Sequence, residues 1–523
     1  MPTEPVSAPP GRRSAWFAVG LLAIVQTALL LWLGSVVGTS RDEEYALATT
    51  AHGPAYALTR SLGFELQAPL YFVVCALWRE IDASMLFARD LSTAFVVATT
   101  ILVATISIRL RPHRPPVELA LGYAICPFVT YAALDIRAYA LAMLLLAVAT
   151  LAFIDGWVCA RRVSARVIFV VAAILGVYTQ YYVAFFVAGL AIGLVAAGRA
   201  RALASYVAAA SIVAVATLIL LHVVPSQFSA YDFVPRPPLA ALTNVAGQPI
   251  RQFAIPATGL REFGLSRSLY GTLVAVFLVA FLAGGVEWRR PNVRLAAGSL
   301  FGMILCYVVS AVVLHVEFTP PRHYLVLVLP LILFGAIVLD SMRGRFRIAA
   351  SVAIVGIFAT SSLTDTLWNY HRGAKFGDWK RVAFFVGTRV RPGDRVAVFE
   401  ADAVPAFRRW FLPQIPVLPF PHAVDGNRYD ADALVVHSEV EARVALRRLT
   451  AGRTHVFLAI DCAYVERFPH EGCGYVTEAI DAAFPERGRT DFFEAWVAEL
   501  PSGRRGSSRR AGVTAAARRT SAQ

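Results

Sequence analysis

The chain has 523 residues, 57% of them hydrophobic and only 16% charged, and a formal net charge of +14. Soluble domains run at roughly 45–50% apolar and about 25% charged, so the composition argues against a soluble enzyme, a disordered scaffold or a disulfide-rich secreted miniprotein. The positive excess is almost all Arg, with lysines only at Lys375 and Lys380; in a membrane protein such charge collects in cytoplasmic loops and calls for no nucleic acid.

Residues 1–13 are Pro-rich and polar and read as a disordered cytoplasmic N-terminus ending in Arg12 and Arg13. The uncharged run from Ser14 to Val37 exceeds the ~20 residues that span a bilayer and lacks a signal-peptide cleavage pattern. Further apolar runs fall at about 88–108, 117–134, 138–158, 167–180, 181–198, 204–224, 268–286, 295–315, 323–341 and 348–363. The run 68–78 is too short to cross and reads as an interfacial helix. Eleven spans put six Arg clusters, at 12–13, 109–114, 161–166, 199–201, 289–294 and 343–347, in alternate connections. The positive-inside rule then sets the N-terminus in the cytoplasm and the chain beyond about 364 outside. The fold expected is an α-helical polytopic membrane protein with a transmembrane domain over 14–363 and a long first outer loop, 38–87. The other outer connections are 135–137, the turn near 180, the Pro-rich 225–267 and 316–322.

From about 364 to 500 the chain turns polar, and short strands at Arg395–Phe399, Ala433–His437, His455–Ile460 and Ala495–Leu500 alternate with helices at 378–390, 402–411 and 438–450. This predicts a small extracytoplasmic α/β domain. It contains no Gly-rich nucleotide motif. Cys75, Cys126, Cys159 and Cys306 read as buried hydrophobes, whereas Cys462 and Cys473 suit a disulfide in an oxidising compartment. Residues 501–523 form a disordered tail with six Arg and no acid.

Chemistry-bearing residues gather on the outer face. Asp42, Glu43 and Glu44 follow the first span, with Tyr45 on the same side of a helical continuation as Asp42. Pro69-Leu70-Tyr71 opens the interfacial segment. Asp135 and Arg137, with Tyr139, occupy a corner at the membrane edge, where charge is costly unless paired or wet. Arg322, His323 and Tyr324 open another span, and Arg322 suits bidentate bonding to phosphate. Each signal is also compatible with a solvated helix start, a local salt bridge or an interfacial anchor; their shared face is what adds weight.

These residues resemble the polytopic GT-C glycosyltransferases that use lipid-phosphate sugars, nearest the protein-mannosyltransferase and aminoarabinose-transferase branch (glycosyltransferase family 39-like). The resemblance rests on Asp42-Glu43 with Tyr45, Pro69-Leu70-Tyr71 with Trp78, Arg89 with Ser92, Arg137-x-Tyr139, Gln180-Tyr181-Tyr182, and Arg322 with Tyr324 before Leu329-Pro330, and it covers about 14–363. Gln67-Ala68-Pro69 stands where the family often has His-x-Pro, and Asp135 where it often has Glu.

The resemblance implies an inverting transfer of one sugar from a polyprenyl-phosphate donor to a hydroxyl of a cell-envelope acceptor, at the outer face of a bacterial plasma membrane. It implies Asp42 as catalytic base with Glu43 beside it, and Arg137 and Arg322 on the donor phosphate. Tyr45, Tyr71, Asp135, Tyr139, Gln180, Tyr181 and His323 would line the substrates. Glu43 alternatively holds a divalent metal (Mg or Mn), as in some relatives, but the acidic pair comes with no third ligand and no metal is assigned. The competing class is a transporter or lipid flippase, whose site would lie near the bilayer midplane at broken helices; a non-catalytic scaffold would leave Asp42, Arg137 and Arg322 far apart.

Overall fold

The computed structural model describes residues 12–223, 264–313, 322–364, 366, 370, 377–423, 436–452, 455–461, 473–492 and 495–501. They fall into two compact units that divide at Arg381.

The first unit is helical. Its elements are α1 (Arg12–Val36), α2 (Arg41–Thr49), α3 (Pro54–Gly63), α4 (Leu70–Arg79), α5 (Met85–Leu110), α6 (Pro116–Ala124), α7 (Pro127–Ala133) and α8 (Tyr139–Phe153), which runs into a π-turn at Ile154–Val158. Then come α9 (Val163–Val177), α10 (Val183–Ala196), α11 (Ala200–Val223), α12 (Gly264–Ala283), α13 (Pro291–Val313), a 3-10 segment Arg322–Leu327 continuing as α14 (Val328–Ser341), and α15 (Gly344–Thr364).

Among the described residues, seven helical stretches are long and apolar enough to cross a membrane, or eight if the bent pair α6–α7 counts as one. The expected span over 117–134 is thus broken: α6 and α7 meet at 66°. Pro127, at the first position of α7, supplies no N–H to continue the ladder, and Cys126 before it is extended. The expected runs at 167–180 and 181–198 form the shorter apolar helices α9 and α10, and the run at 268–286 falls on α12. Large apolar side chains such as Phe17, Ile24, Leu218, Leu282 and Phe301 are more than half exposed, as expected of helix faces meant for lipid rather than water.

Helix α8 is the most enclosed of the spans. Its residues Met143, Leu146 and Phe153 share the main core with Tyr123, Val129, Phe169, Val187, Tyr206 and Met303. Helices α10 and α13 pack backbone to backbone: a Cβ on Gly193 would fall 2.0 Å from Ser299 Oγ and 2.6 Å from Leu295 O. Only glycine allows that approach.

The Arg-rich connections meet at one end of the bundle. Arg109 pairs with Asp155 (3.4 Å), Arg114 with Asp340 (3.2 Å), Arg199 Nη1 donates to Val158 O (3.0 Å), and Arg343 N donates to Gly284 O (3.1 Å). The first-loop helices α2 to α4 lie at the opposite end, beside the start of α5.

The second unit is a five-stranded sheet in the order β2-β1-β3-β5-β4, with β1 (Arg395–Phe399), β2 (Val417–Pro419), β3 (His455–Asp461), β4 (Gly488–Asp491) and β5 (Ala495–Pro501). Strands β1–β2 and β1–β3 are parallel; β3–β5 and β4–β5 are antiparallel. Helices α17 (Val404–Trp410), α18 (Glu439–Thr450) and α19 (Cys473–Ala483) complete it, and α16 (Trp379–Gly387) runs from the last residues of the first unit into it. Phe399, Leu446, Leu458, Ile460, Val476 and Trp496 form its core. Cys473 is in a disulfide; its expected partner Cys462 lies outside the described residues, as do most of the expected strand at 433–437, the connection 224–263 and the tail from 502.

Candidate active site

The end of α1 and the start of α2 are tied by charge. Ser40 caps α2: its hydroxyl accepts from Glu43 N (3.3 Å), and its own N–H donates to Glu43 Oε2 (2.9 Å), a complete capping box. Glu43 is fully buried. Its Oε1 accepts from Arg89 Nη2 (2.9 Å) and from Ile136 N (3.2 Å). Arg89, equally buried near the start of α5, donates from Nη1 to Gly34 O (2.6 Å) and Val37 O (3.1 Å), and from Nη2 to Gly38 O (3.2 Å). Lys380 Nζ donates to Val36 O (2.7 Å). These carbonyls are the ones a helix C-terminus leaves without partners, and cations suit them. Glu43 therefore locks α1, α2, α5 and the corner at 134–138 together.

Asp42 points elsewhere. Its Oδ2 accepts from Arg322 Nη1 at 2.6 Å, with the two side chains 35% and 24% exposed. Residues 280 positions apart in the chain thus share one partly open site. The Asp42 carbonyl accepts from Arg137 Nη1 (3.2 Å), and the same nitrogen donates to Glu65 Oε2 (2.8 Å). Arg137 and Glu65 are both 3% exposed. Burial opposes the charge on Arg137, but Glu65 and then Asp42 outweigh it and hold the guanidinium more firmly protonated than usual. Glu65 Oε1 accepts from Thr49 Oγ1 (2.8 Å), whose oxygen accepts from Arg60 Nε (3.2 Å).

Asp135 is buried, and Ser92 Oγ donates to its carbonyl (2.7 Å). It lies close enough to Tyr131, Tyr139 and Arg137 to interact electrostatically, and Asp42 and Arg322 act on the same two tyrosines. Asp42, Asp135, Arg137, Tyr139 and Arg322 therefore form one constellation. An aromatic wall adjoins Arg322: Tyr182 faces His323 (ring centroids 5.3 Å apart) and Tyr307 (5.7 Å), and Tyr307 Oη donates to His323 O (2.7 Å).

The remaining expected residues lie around this centre. Tyr45 packs edge-on against Phe64 at 5.2 Å. Tyr71 is fully buried with Phe72 and Cys75 in the core beneath α2, close enough to Asp135 to interact electrostatically. Gln180 and Tyr181 sit at the α9–α10 turn beside Tyr182. Among the described residues neither is hydrogen-bonded to Asp42 or Arg322, and the buried Tyr181 Oη has no partner. Glu65, Thr49 and Arg60 are absent from the sequence expectations. Glu65 carried one available signal, a carboxylate inside the mainly apolar stretch between α3 and α4.

The residues present do not fit a divalent metal at Glu43. Its oxygens accept from two backbone N–H groups and a guanidinium, and among the described residues no three His, Cys, Asp or Glu side chains converge.

No family model matches the chain, and no curated protein matches it. Among solved structures it is similar to ArnT from Cupriavidus metallidurans in the apo state, at 13% identity over 93% of this chain and 98% of that one, with a TM-score of 0.50. It is also similar to the Archaeoglobus fulgidus oligosaccharyltransferase tethered with an acceptor peptide (12% identity, 90% and 72% covered, TM-score 0.46) and to ArnT from C. metallidurans bound to undecaprenyl phosphate (12%, 92% and 97%, 0.39). The chain thus shares the fold of ArnT.

Proposed function

We propose that the chain is a membrane glycosyltransferase that moves a sugar from a polyprenyl-phosphate-linked donor to a hydroxyl of a cell-envelope acceptor on the extracytoplasmic face. The observation that carries this reading is the Asp42–Arg322 pair, a partly open carboxylate and guanidinium brought together at the first-loop end of a GT-C bundle. The Arg clusters at the other end of the bundle support an inward orientation for that end.

The chemistry follows from the pair. At rest Arg322 holds Asp42 Oδ2, so that oxygen is not open to a hydroxyl proton. A donor phosphate competes for the same guanidinium and draws it away. Asp42 is then free to accept the acceptor's proton as the acceptor oxygen bonds to the anomeric carbon. The carbon–oxygen bond to phosphate breaks, and its electron pair leaves on the phosphate, which Arg322 stabilises. Transfer by this route inverts the anomeric centre.

Two roles are read differently here from what the resemblance implies. The resemblance implies Arg137 at the donor phosphate; its Nη1 donates to Glu65 and to the Asp42 carbonyl. In this reading it positions Asp42. Glu43 was expected beside the base as a catalytic partner; buried against Arg89, it is likewise a positioning residue.

The test is release of polyprenyl phosphate by the purified full-length protein from a panel of polyprenyl-phosphate sugars with envelope acceptors. Release coupled to covalent sugar transfer is expected. Movement of the lipid or sugar across a vesicle membrane without covalent transfer would overturn the reading.

A further inference from the structure

The second unit carries an exposed face that combines apolar and cationic side chains. Residues 379–393, which hold α16, and 403–420, which hold α17, contain one lysine and five arginines but no Asp or Glu. The two segments meet at Gly387: a Cβ there would stand 3.3 Å from Pro413 Cδ and 3.7 Å from Phe411 Cδ2. Phe384 lies one turn before Gly387 on α16, and Leu412 lies between Phe411 and Pro413. Both stand open, at 67% and 81% exposed, while their neighbours Val382, Ala383, Val386 and Phe407 are buried. Two large apolar side chains left open at one junction point to a contact surface.

Three exposed arginines, Arg389, Arg391 and Arg408, lie within two turns of these side chains along the chain. Arg389 sits over the Phe385 ring (3.8 Å) and donates from Nη1 to Phe385 O (3.3 Å) and Thr388 Oγ1 (3.3 Å). Arg408 Nη2, one turn before Leu412, donates to Val417 O (3.1 Å). Asp394, the next acid along the chain from Arg391, accepts with Oδ2 from Arg391 N (2.8 Å), a backbone group. Among the described residues none of the three arginines is in an ion pair. Carbonyls and a hydroxyl hold Arg389 and Arg408, so their charge is not neutralised.

Where α16 begins indicates what this face can reach. Lys380 Nζ donates to Val36 O, at the first-loop end of the spanning helix α1. At 1.5 Å per residue, Phe384 is about 6 Å further along α16, comparable with the headgroup layer, roughly 5–8 Å deep on each side of the hydrocarbon. An acid-free cationic rim beside open apolar side chains is complementary to an anionic bilayer surface, and arginine stems can lie along the acyl boundary while their heads reach phosphate. We infer that this face of the second unit docks on anionic lipid in the leaflet at the first-loop end of the bundle. Phe384 and Leu412 enter between headgroups, and Arg389, Arg391 and Arg408 meet the lipid phosphates. The docking holds whether or not the chain transfers sugar.

The test uses full-length protein reconstituted in nanodiscs of phosphatidylcholine, alone or mixed with phosphatidylglycerol, with lipids brominated near the headgroup. Leu412→Trp, and separately Phe384→Trp, adds one indole that is read as the difference from wild-type emission. The added emission should be quenched by brominated lipid in the mixed nanodiscs and much less in phosphatidylcholine alone. Adding Arg389→Gln and Arg391→Gln to the same chain should release it, each arginine shifting the docking equilibrium about fivefold. Added indoles at both positions that acrylamide reaches from water and brominated lipid does not would overturn the docking. Equal quenching with and without phosphatidylglycerol, unchanged by the arginine substitutions, would overturn the assignment to anionic lipid.

Discussion

Two adjacent acids, Asp42 and Glu43, should fail in opposite ways. Glu43→Ala removes a carboxylate that is fully buried against Arg89. Breaking one side of such a pair costs about 3–5 kcal/mol, because the remaining charge stays buried and uncompensated. The lost capping box adds about 0.5–2 kcal/mol. Asp42→Asn disturbs a pair whose side chains are 35% and 24% exposed, and partly open pairs contribute only about 0.2–1 kcal/mol. Yet Asn cannot take a proton, so transfer should fall by about 10²–10⁴-fold, equivalent to roughly 2.7–5.4 kcal/mol of barrier. Both variants would be purified at matched monodispersity, melted by tryptophan fluorescence and assayed for polyprenyl phosphate release. The expected pattern is a sharply lowered midpoint for Glu43→Ala, and a near-native midpoint with almost no transfer for Asp42→Asn. The reasoning is refuted if Asp42→Asn lowers the midpoint as far as Glu43→Ala does, or if it transfers at the wild-type rate.

Other variants test the surrounding parts. Arg322→Ala should raise the donor concentration needed for half-maximal rate far more than it lowers the unfolding midpoint; equal damage to both would mark it as an anchor. Glu65→Gln leaves Arg137 buried without its main counter-charge and should cost about 3 kcal/mol, seen as a lowered midpoint that Arg137→Gln in the same chain partly restores. Gly193→Val places side-chain atoms against Ser299 and Leu295 O and should destabilise the α10–α13 seam by about 1–3 kcal/mol, with the remaining folded fraction still turning over normally.

The helices were legible because apolar periodicity and length report burial in lipid directly. The same signal says nothing about where one run bends: 117–134 reads as a single span because Ile125-Cys126-Pro127 is apolar on both sides of the break. In the second unit β1, β3 and β5 are buried enough to read as strands. β2 has three residues and β4 four, mostly polar, too short for an alternation to show. At the site, residue type and topology placed Asp42 and Arg322 on one face, but not their direct pairing. Which buried charge neutralises which is a tertiary fact: nothing in the sequence pairs Arg137 with Glu65, 72 positions away. Arg89 stood out in the sequence as a charge entering a span, while its grip on the carbonyls of α1 depends on contacts across more than fifty positions.

The Arg89 clasp also bears on how the protein is made. During synthesis α1 enters the membrane with its terminal carbonyls open, and the chain must reach the start of α5 before a cation can close them. Once Arg89 engages Gly34, Val37 and Gly38 and meets Glu43, the first-loop end is set early, from nearby parts of the chain. Arg322 emerges only after most of the membrane domain has been threaded. The carboxylate and the guanidinium are therefore delivered at different stages of biogenesis, and a truncated chain would carry a formed but incomplete centre.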